Sequence, residues 1–132
     1  MKYKIWNKKE KKFDERIAVL QNGLLIEAFY NKENIPTFKT IYDIEEIKNY
    51  VICKCSHYID KNGKSLYEGD IVKVIDDEDL WVVYLSDENE WFLKTDFDRY
   101  FDEICSSTSD ELEIVGNMYE NFNLLGDTNV EM

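Results

Sequence analysis

A chain of 132 residues, 44% hydrophobic and 14% aromatic, has the apolar mass for one packed domain spanning residues 1–132 and is not globally disordered. Its net charge of −12 is uneven: residues 1–66 hold 13 Lys+Arg against 9 Asp+Glu, a net of +4, and residues 67–132 hold 3 against 19, a net of −16. No apolar run approaches a membrane span and Met1 to Trp6 lacks the core of an export signal, so a cytoplasmic protein with no membrane association is expected, its Cys53, Cys55 and Cys105 reduced.

Lys2 to Trp6 alternates and predicts a first strand, with Trp6 as a core or rim aromatic and Asn7 to Lys12 as a basic turn. Ile17 to Leu20 and Leu24 to Tyr30 predict two more strands around the turn Gln21-Asn22-Gly23. Asn31 to Pro36 reads as a loop. Ile41, Ile44 and Ile47 recur at every third position, which predicts a short helix over Thr40 to Tyr50, with Thr40 and Asp43 as a capping pair.

Tyr50 to Tyr58 returns to a strand pattern and puts Cys53, Cys55 and His57 on one face. Same-face neighbours on a strand stand about 6.5–7 Å apart. Zinc needs its ligands within about 2.0–2.3 Å. Two neighbours can converge on one ion, but three in a line hardly can, so no metal and no cofactor is expected here and the cysteines read as structural.

Asp60 to Val74 is the most informative stretch. Asn62-Gly63 predicts a two-residue hairpin turn with both residues at positive φ. Glu68-Gly69-Asp70 predicts a second tight turn, and Ile71 to Val74 a β-branched strand. Asp76-Asp77-Glu78-Asp79 reads as a solvated turn, and is also the candidate acidic partner surface. Leu80 to Leu85, almost without polar residues, predicts a strand buried on both faces. Ser86 to Asn89 is a turn, and Glu90 to Lys94 closes a hairpin. From Thr95 to Ser107, Phe97, Tyr100, Phe101 and Ile104 fit a helical stripe with Asp96, Asp98, Asp102 and Glu103 on the outer face. Ser106 to Asp110 reads as a loop. Leu112 to Tyr119 predicts a last strand, in which Gly116 marks a bulge or a close backbone approach. Asn121 to Leu125 reads as a turn and 126–132 as a frayed tail.

Two blocks together resemble a known family. Asp60-Lys61-Asn62-Gly63-Lys64-Ser65-Leu66-Tyr67-Glu68-Gly69-Asp70-Ile71-Val72 is the first. Ile114-Val115-Gly116-Asn117-Met118-Tyr119-Glu120-Asn121, with Leu124-Leu125, is the second. Both are similar in order and spacing to the YopX-like proteins of phages and prophages, and Ile5-Trp6-Asn7-Lys8 is a weaker third match. Residues 13–50 carry none of the pattern. Family members commonly have Thr-Gly-Leu where this chain has Ser56-His57-Tyr58. The resemblance implies a mainly β fold, a small SH3-like (pseudo)barrel of antiparallel strands with one or two short helices. It implies a phage or prophage origin, supplies no catalytic residues, and makes Asn62, Gly63, Glu68, Gly69, Asp70 and Gly116 structural turn positions.

An enzyme needs a site, and the sequence has one histidine, no phosphate-binding loop and no dinucleotide fingerprint. The expectation is therefore a non-enzymatic phage accessory protein that binds another protein, with self-association also open. The alternative is an acidic DNA mimic that occupies the DNA site of a host protein, supported by the −16 half. Naked DNA is not an expected ligand. That half repels phosphate, and the lysines of Lys2 to Lys12 share their segment with Glu10.

Overall fold

The computed structural model describes residues 2–94 and 100–125. The fold is mostly antiparallel β, with a curled half-barrel sheet. The chain forms two compact units, Lys2–Cys53 and the residues from Lys54 onward.

The first unit begins with a hairpin of β1 (Tyr3–Asn7) and β2 (Lys12–Phe13), in which Trp6 faces Phe13 and the two rings meet edge-on at 5.0 Å. A three-stranded meander follows: β3 (Ile17–Val19), β4 (Leu25–Tyr30) and β5 (Pro36–Ile41), in the order β3-β4-β5. Period-2 patterning puts Leu25 opposite Ile41 on the inner face. These two join Ile5 and Ile17 in a buried cluster, with Val19, Tyr50 and Ile52 packed against it.

The predicted helix over Thr40 to Tyr50 is corrected here. Pro36–Ile41 is an edge strand, and only α1 (Ile44–Ile47) is helical, capped by the Asp43 carboxylate accepting from the Glu45 N–H. Thr37, Phe38, Thr40 and Ile41 are strand formers, and Ile41 earns burial from the β4 ladder. Ile44 and Ile47 remain exposed, so their spacing is not a core stripe. Pro36, assigned to the loop from sequence, opens the edge strand, where its missing N–H costs little.

The strand β6 (Tyr50–Ile59) runs from the first unit into the second, where it pairs with β7 (Ser65–Tyr67). A meander follows: β8 (Asp70–Val74), β9 (Leu80–Leu85), β10 (Trp91–Lys94) and β11 (Tyr100–Glu103). A single helical turn, α2 (Ser106–Ser109), leads into β12 (Leu112–Asn117), which returns beside β8. The five-stranded order is β11-β10-β9-β8-β12, and a 3-10 turn, Phe122–Leu125, follows. Leu66, Val72, Val74, Trp81, Val83, Leu93, Ile104 and Leu112 form the core, with Tyr58, Trp91 and Ile114 packed against it.

Four further expectations are corrected. Tyr100–Glu103 is a strand laddered to β10, with Phe92 opposite Glu103, so the helical stripe read over Thr95 to Ser107 fails there; Asp96, Phe97 and Asp98 lie outside the described residues, as does 126–132. Ser106–Ser109 is a helical turn rather than a loop. In β9 only Trp81 and Val83 are buried, so that strand alternates instead of being buried on both faces. Gly63 has φ +81°, but Asn62 is not at positive φ. The turn is a longer one, in which Gly63 N–H donates to the Asp60 carbonyl (3.0 Å) and Asp60 N–H to the Lys64 carbonyl (2.8 Å), and only its last loop residue is left-handed.

Candidate functional site

The family-motif residues meet one another in the second unit. Asp60 is 2% exposed. Its Oδ1 accepts the N–H groups of Asn62 (2.9 Å) and Lys64 (2.8 Å), and its Oδ2 accepts that of Ile114 (3.1 Å). Lys61 N–H donates to the Leu112 carbonyl at 2.8 Å. The Asp60 turn thus satisfies backbone groups of β12, which stands at the end of the sheet order among the described residues, beside β8. Burial works to raise the Asp60 pKa, but the three N–H donors and the Lys64 charge outweigh it, and the carboxyl stays below its ordinary value.

The second turn makes a similar junction. Gly69 has φ +89° and its carbonyl accepts the Met118 N–H at 2.8 Å. A Cβ there would stand 2.7 Å from Tyr119 Cε2. The buried Asp70 accepts the Tyr67 N–H, and Glu68 accepts that of Lys54. The β8–β12 register shifts between Ile114 and Gly116, where a Cβ would meet Asn121 Oδ1 at 2.7 Å. The turn positions Asn62, Gly63, Glu68, Gly69, Asp70 and Gly116 lie at these junctions, where their described bonds go to the fold's own backbone and side chains.

The β6 register shifts between Cys55 and Ile59, so strict alternation breaks. Ser56, at the start of the segment that departs from the family pattern, accepts the Tyr58 N–H on its hydroxyl. Cys53 is buried, Cys55 half-buried and His57 exposed. Among the described residues no three His, Cys, Asp or Glu side chains are grouped to hold a metal ion. Tyr67, opposite Cys55, has its pKa raised by burial, then by Cys55 and Asp70.

In the acidic turn, Asp76, Glu78 and Asp79 are exposed, while Asp77 is half-buried. The Asp77 carboxylate accepts the Asp79 N–H (2.9 Å) and the Trp81 Nε1–H (3.3 Å). One of the four charges therefore anchors the turn. Nearby, Glu113 faces Lys73 across the ladder and pairs with Lys61 at 3.5 Å.

Among the concavities of the first unit are two that single-residue motifs do not announce. A charged cleft of about 460 Å³ is lined by Asn7, Lys9, Glu10, Arg16, Glu27, Lys39, Glu45, Glu46, Asn49 and Tyr50. A hydrogen-bond network shares Asn7 and Arg16 with its lining. Asp14, its side chain 1% exposed, takes both Nε and Nη2 of Arg16 (3.0 and 2.9 Å) and the Asn7 amide (3.1 Å). Asn7 also accepts the N–H groups of Lys9 and Glu10, fixing the β1–β2 turn. The Arg16 hydrogen bond holds the Asp14 pKa down to about 2, against the opposing effect of burial. Burial, then Glu27, Asp14 and Glu46, push the Tyr50 phenol up.

The second concavity, about 480 Å³, lies at the end of β4 and β5 and is lined by Glu15, Arg16, Ala28, Phe29, Tyr30, Pro36, Thr37 and Phe38. Tyr30 and Phe38 are 69% and 68% exposed. In register, Ala28 faces Phe38 and Tyr30 faces Pro36, so the alternation that buries Leu25 and Ile41 puts these four on the opposite face. Phe29, Tyr30, Ile35 and Phe38, clustered around one polar turn and unable all to point inward, were the available signal.

Fold and junctions together define a mainly antiparallel β protein with a barrel-like sheet, its closing turns held by buried carboxylates and close backbone contacts. The chain belongs to the YopX protein family, whose model matches residues 2–126 and so takes in the 13–50 stretch that showed no motif. The crystal structure of protein EF1440 from Enterococcus faecalis is similar, with a TM-score of 0.60 and 22% identity, over 95% of this chain and 97% of that one. No curated protein matches. No helix among the described residues is long and apolar enough to cross a membrane.

Proposed function

We propose that the protein is a non-enzymatic, protein-binding accessory module of phage or prophage origin, acting in the bacterial cytoplasm. The observation that carries this is the aromatic groove on the β4–β5 hairpin. Large apolar side chains that remain exposed together on one hairpin are the usual mark of an interaction surface. The meander β8-β9-β10-β11, with β12 returning beside β8 after one helical turn, supports an SH3-like barrel as the carrier. The phage origin follows from the family resemblance.

The DNA-mimic alternative has the charge, a net of −14 from Lys54 to Met132, where 6 Lys+Arg oppose 20 Asp+Glu. A mimic needs carboxylates in rows at phosphate-like spacing, roughly 6–7 Å. Against it, two of the described carboxylates are not free to join such a row: Asp77 is committed to Trp81, and Glu113 pairs with Lys61 and faces Lys73.

The test is affinity capture from host lysate with the wild-type chain, a Tyr30→Ser/Phe38→Ser variant, and an Asp76→Asn/Asp77→Asn/Asp79→Asn variant. The aromatic variant should lose the captured protein and the Asn variant should keep it. The opposite pattern would establish the mimic and reject the groove.

A further inference from the structure

We propose that the charged cleft of the first unit receives a basic side chain, the guanidinium or ammonium of a partner's arginine or lysine, with Glu46 and Tyr50 as the receiving groups. The proposal takes its biological occupant from the protein-binding reading above, while its chemistry stands on the cleft alone.

The argument is a census of charge. Arg16 is matched by Asp14 at 2.9 Å, a carboxylate outside the cleft lining. Lys39 pairs with Glu27 at 3.4 Å, and Glu10 pairs with Lys12 at 3.2 Å and Arg16 at 3.7 Å. Glu45 pairs with Lys48 at 3.4 Å. Two lining charges are left over. Lys9 sits on the exposed β1–β2 turn, where its ammonium is hydrated without cost. Glu46 is half-buried on α1, and its carboxylate has no hydrogen bond or ion pair among the described residues. The unmatched charge on the half-buried part of the lining is therefore the Glu46 carboxylate.

Tyr50 reports the same field. It is half-buried, and its hydroxyl has no described hydrogen-bond partner. Burial disfavours its ionisation most, Glu27, Asp14 and Glu46 add to that, and Arg16 opposes them. A phenol ring beside an unpaired carboxylate suits a guanidinium or ammonium: the carboxylate takes its N–H donors and the ring face attracts its charge.

The experiment is an amide-resolved NMR titration of the full chain with N-acetyl-L-arginine amide at low salt, with N-acetyl-L-citrulline amide as the uncharged isostere. Saturable shifts at Glu46, Asn49 and Tyr50 are expected from arginine and none from citrulline, with several-fold weaker binding at high salt. Glu46→Gln should weaken binding several-fold with a nearly unchanged melting temperature, because the Glu46 carboxylate makes no hydrogen bond or ion pair among the described residues. Tyr50→Phe should bind nearly as well if the ring face matters and the hydroxyl does not. Shifts at the same amides from acetate or inorganic phosphate, with none from arginine, would make this an anion site and overturn the proposal. So would no shift at all, or arginine shifts indifferent to Glu46→Gln. No partner is needed in this titration, so its failure leaves the protein-binding reading standing, and arginine binding without a capturable partner rejects only that reading.

Discussion

Asp60 offers the sharpest test of how this fold is held together. Replacing it with Asn removes the charge and leaves one carbonyl oxygen. If that oxygen serves the turn amides of Asn62 and Lys64, the new NH2 group points at the Ile114 N–H, donor against donor. If it serves Ile114, the turn amides lose their acceptor. Either way a charge-assisted bond is lost, at a cost of roughly 1.5–3 kcal/mol. Asp60→Ala loses all three bonds, yet the cost should be about 3–4 kcal/mol rather than three times one bond, because Asn62 and Lys64 are exposed and water can reach their amides. Urea unfolding monitored by tryptophan fluorescence reads both values. Hydrogen exchange should show the Ile114 amide losing protection more than its neighbours in β12. The acid limb follows from the direction of the pKa shift. A carboxyl held below its unfolded value gives stability that is fully present above about pH 4 and fades as pH falls through the folded value, so the wild type and Asp60→Asn should converge in acid. An Asn variant within about 0.5 kcal/mol of wild type at pH 7, against the loss expected for a buried charge-assisted bond, would refute the clamp.

Asp14 should contribute about 2 kcal/mol at neutral pH, since its pKa falls from 3.8 to about 2 and each unit is worth about 1.4 kcal/mol. That share is present above about pH 4 and lost toward pH 2, so Asp14→Asn should flatten the acid limb there. Gly69→Ala should cost more than about 1 kcal/mol through its positive φ and the Tyr119 clash; adding Tyr119→Leu should recover the steric part only, and full recovery would contradict the backbone argument. Asp77→Ala should cost about 1 kcal/mol and shift tryptophan emission, while Glu78→Ala and Asp79→Ala should stay within about 0.5 kcal/mol. Equal losses at all three would mean that the turn does not rest on Asp77.

Local chemistry was legible where one residue decides the geometry. Gly69 and Gly116 marked a turn and a bulge because little else fits there. A further pattern was present but unread. Asn31, Asp60 and Ser86 each start a turn whose fourth residue, Asn34, Gly63 or Asn89, is left-handed, and each accepts the N–H groups two and four residues on. The spacing Asn-x-x-Asn, Asp-x-x-Gly and Ser-x-x-Asn is visible in the chain and has a mechanism. Ile41, Ile44 and Ile47 misled because a strand end followed by one helical turn can imitate a period of three. The Asp60–Ile114 bond spans 54 residues, and no local window contains it. The charged cleft is equally non-local, drawing Lys9, Arg16, Glu27, Lys39, Glu46 and Tyr50 from different elements.

This division bears on where binding should be sought. Asp60 is occupied by three amides, Gly69 by Met118 and Tyr119, Gly116 by Asn121, and Asp77 by Trp81. Atoms so committed can bind a partner only by giving up bonds the fold needs, and substitution there perturbs stability before recognition. Tyr30, Phe38, Glu46 and the Tyr50 hydroxyl have the opposite standing. Tyr30 and Phe38 are mostly exposed, and the Glu46 carboxylate and Tyr50 hydroxyl have no described partner. A surface that can change without unfolding its carrier is the one available to follow a partner. Here that surface belongs to the first unit, in the stretch where the family's recognisable motifs are absent.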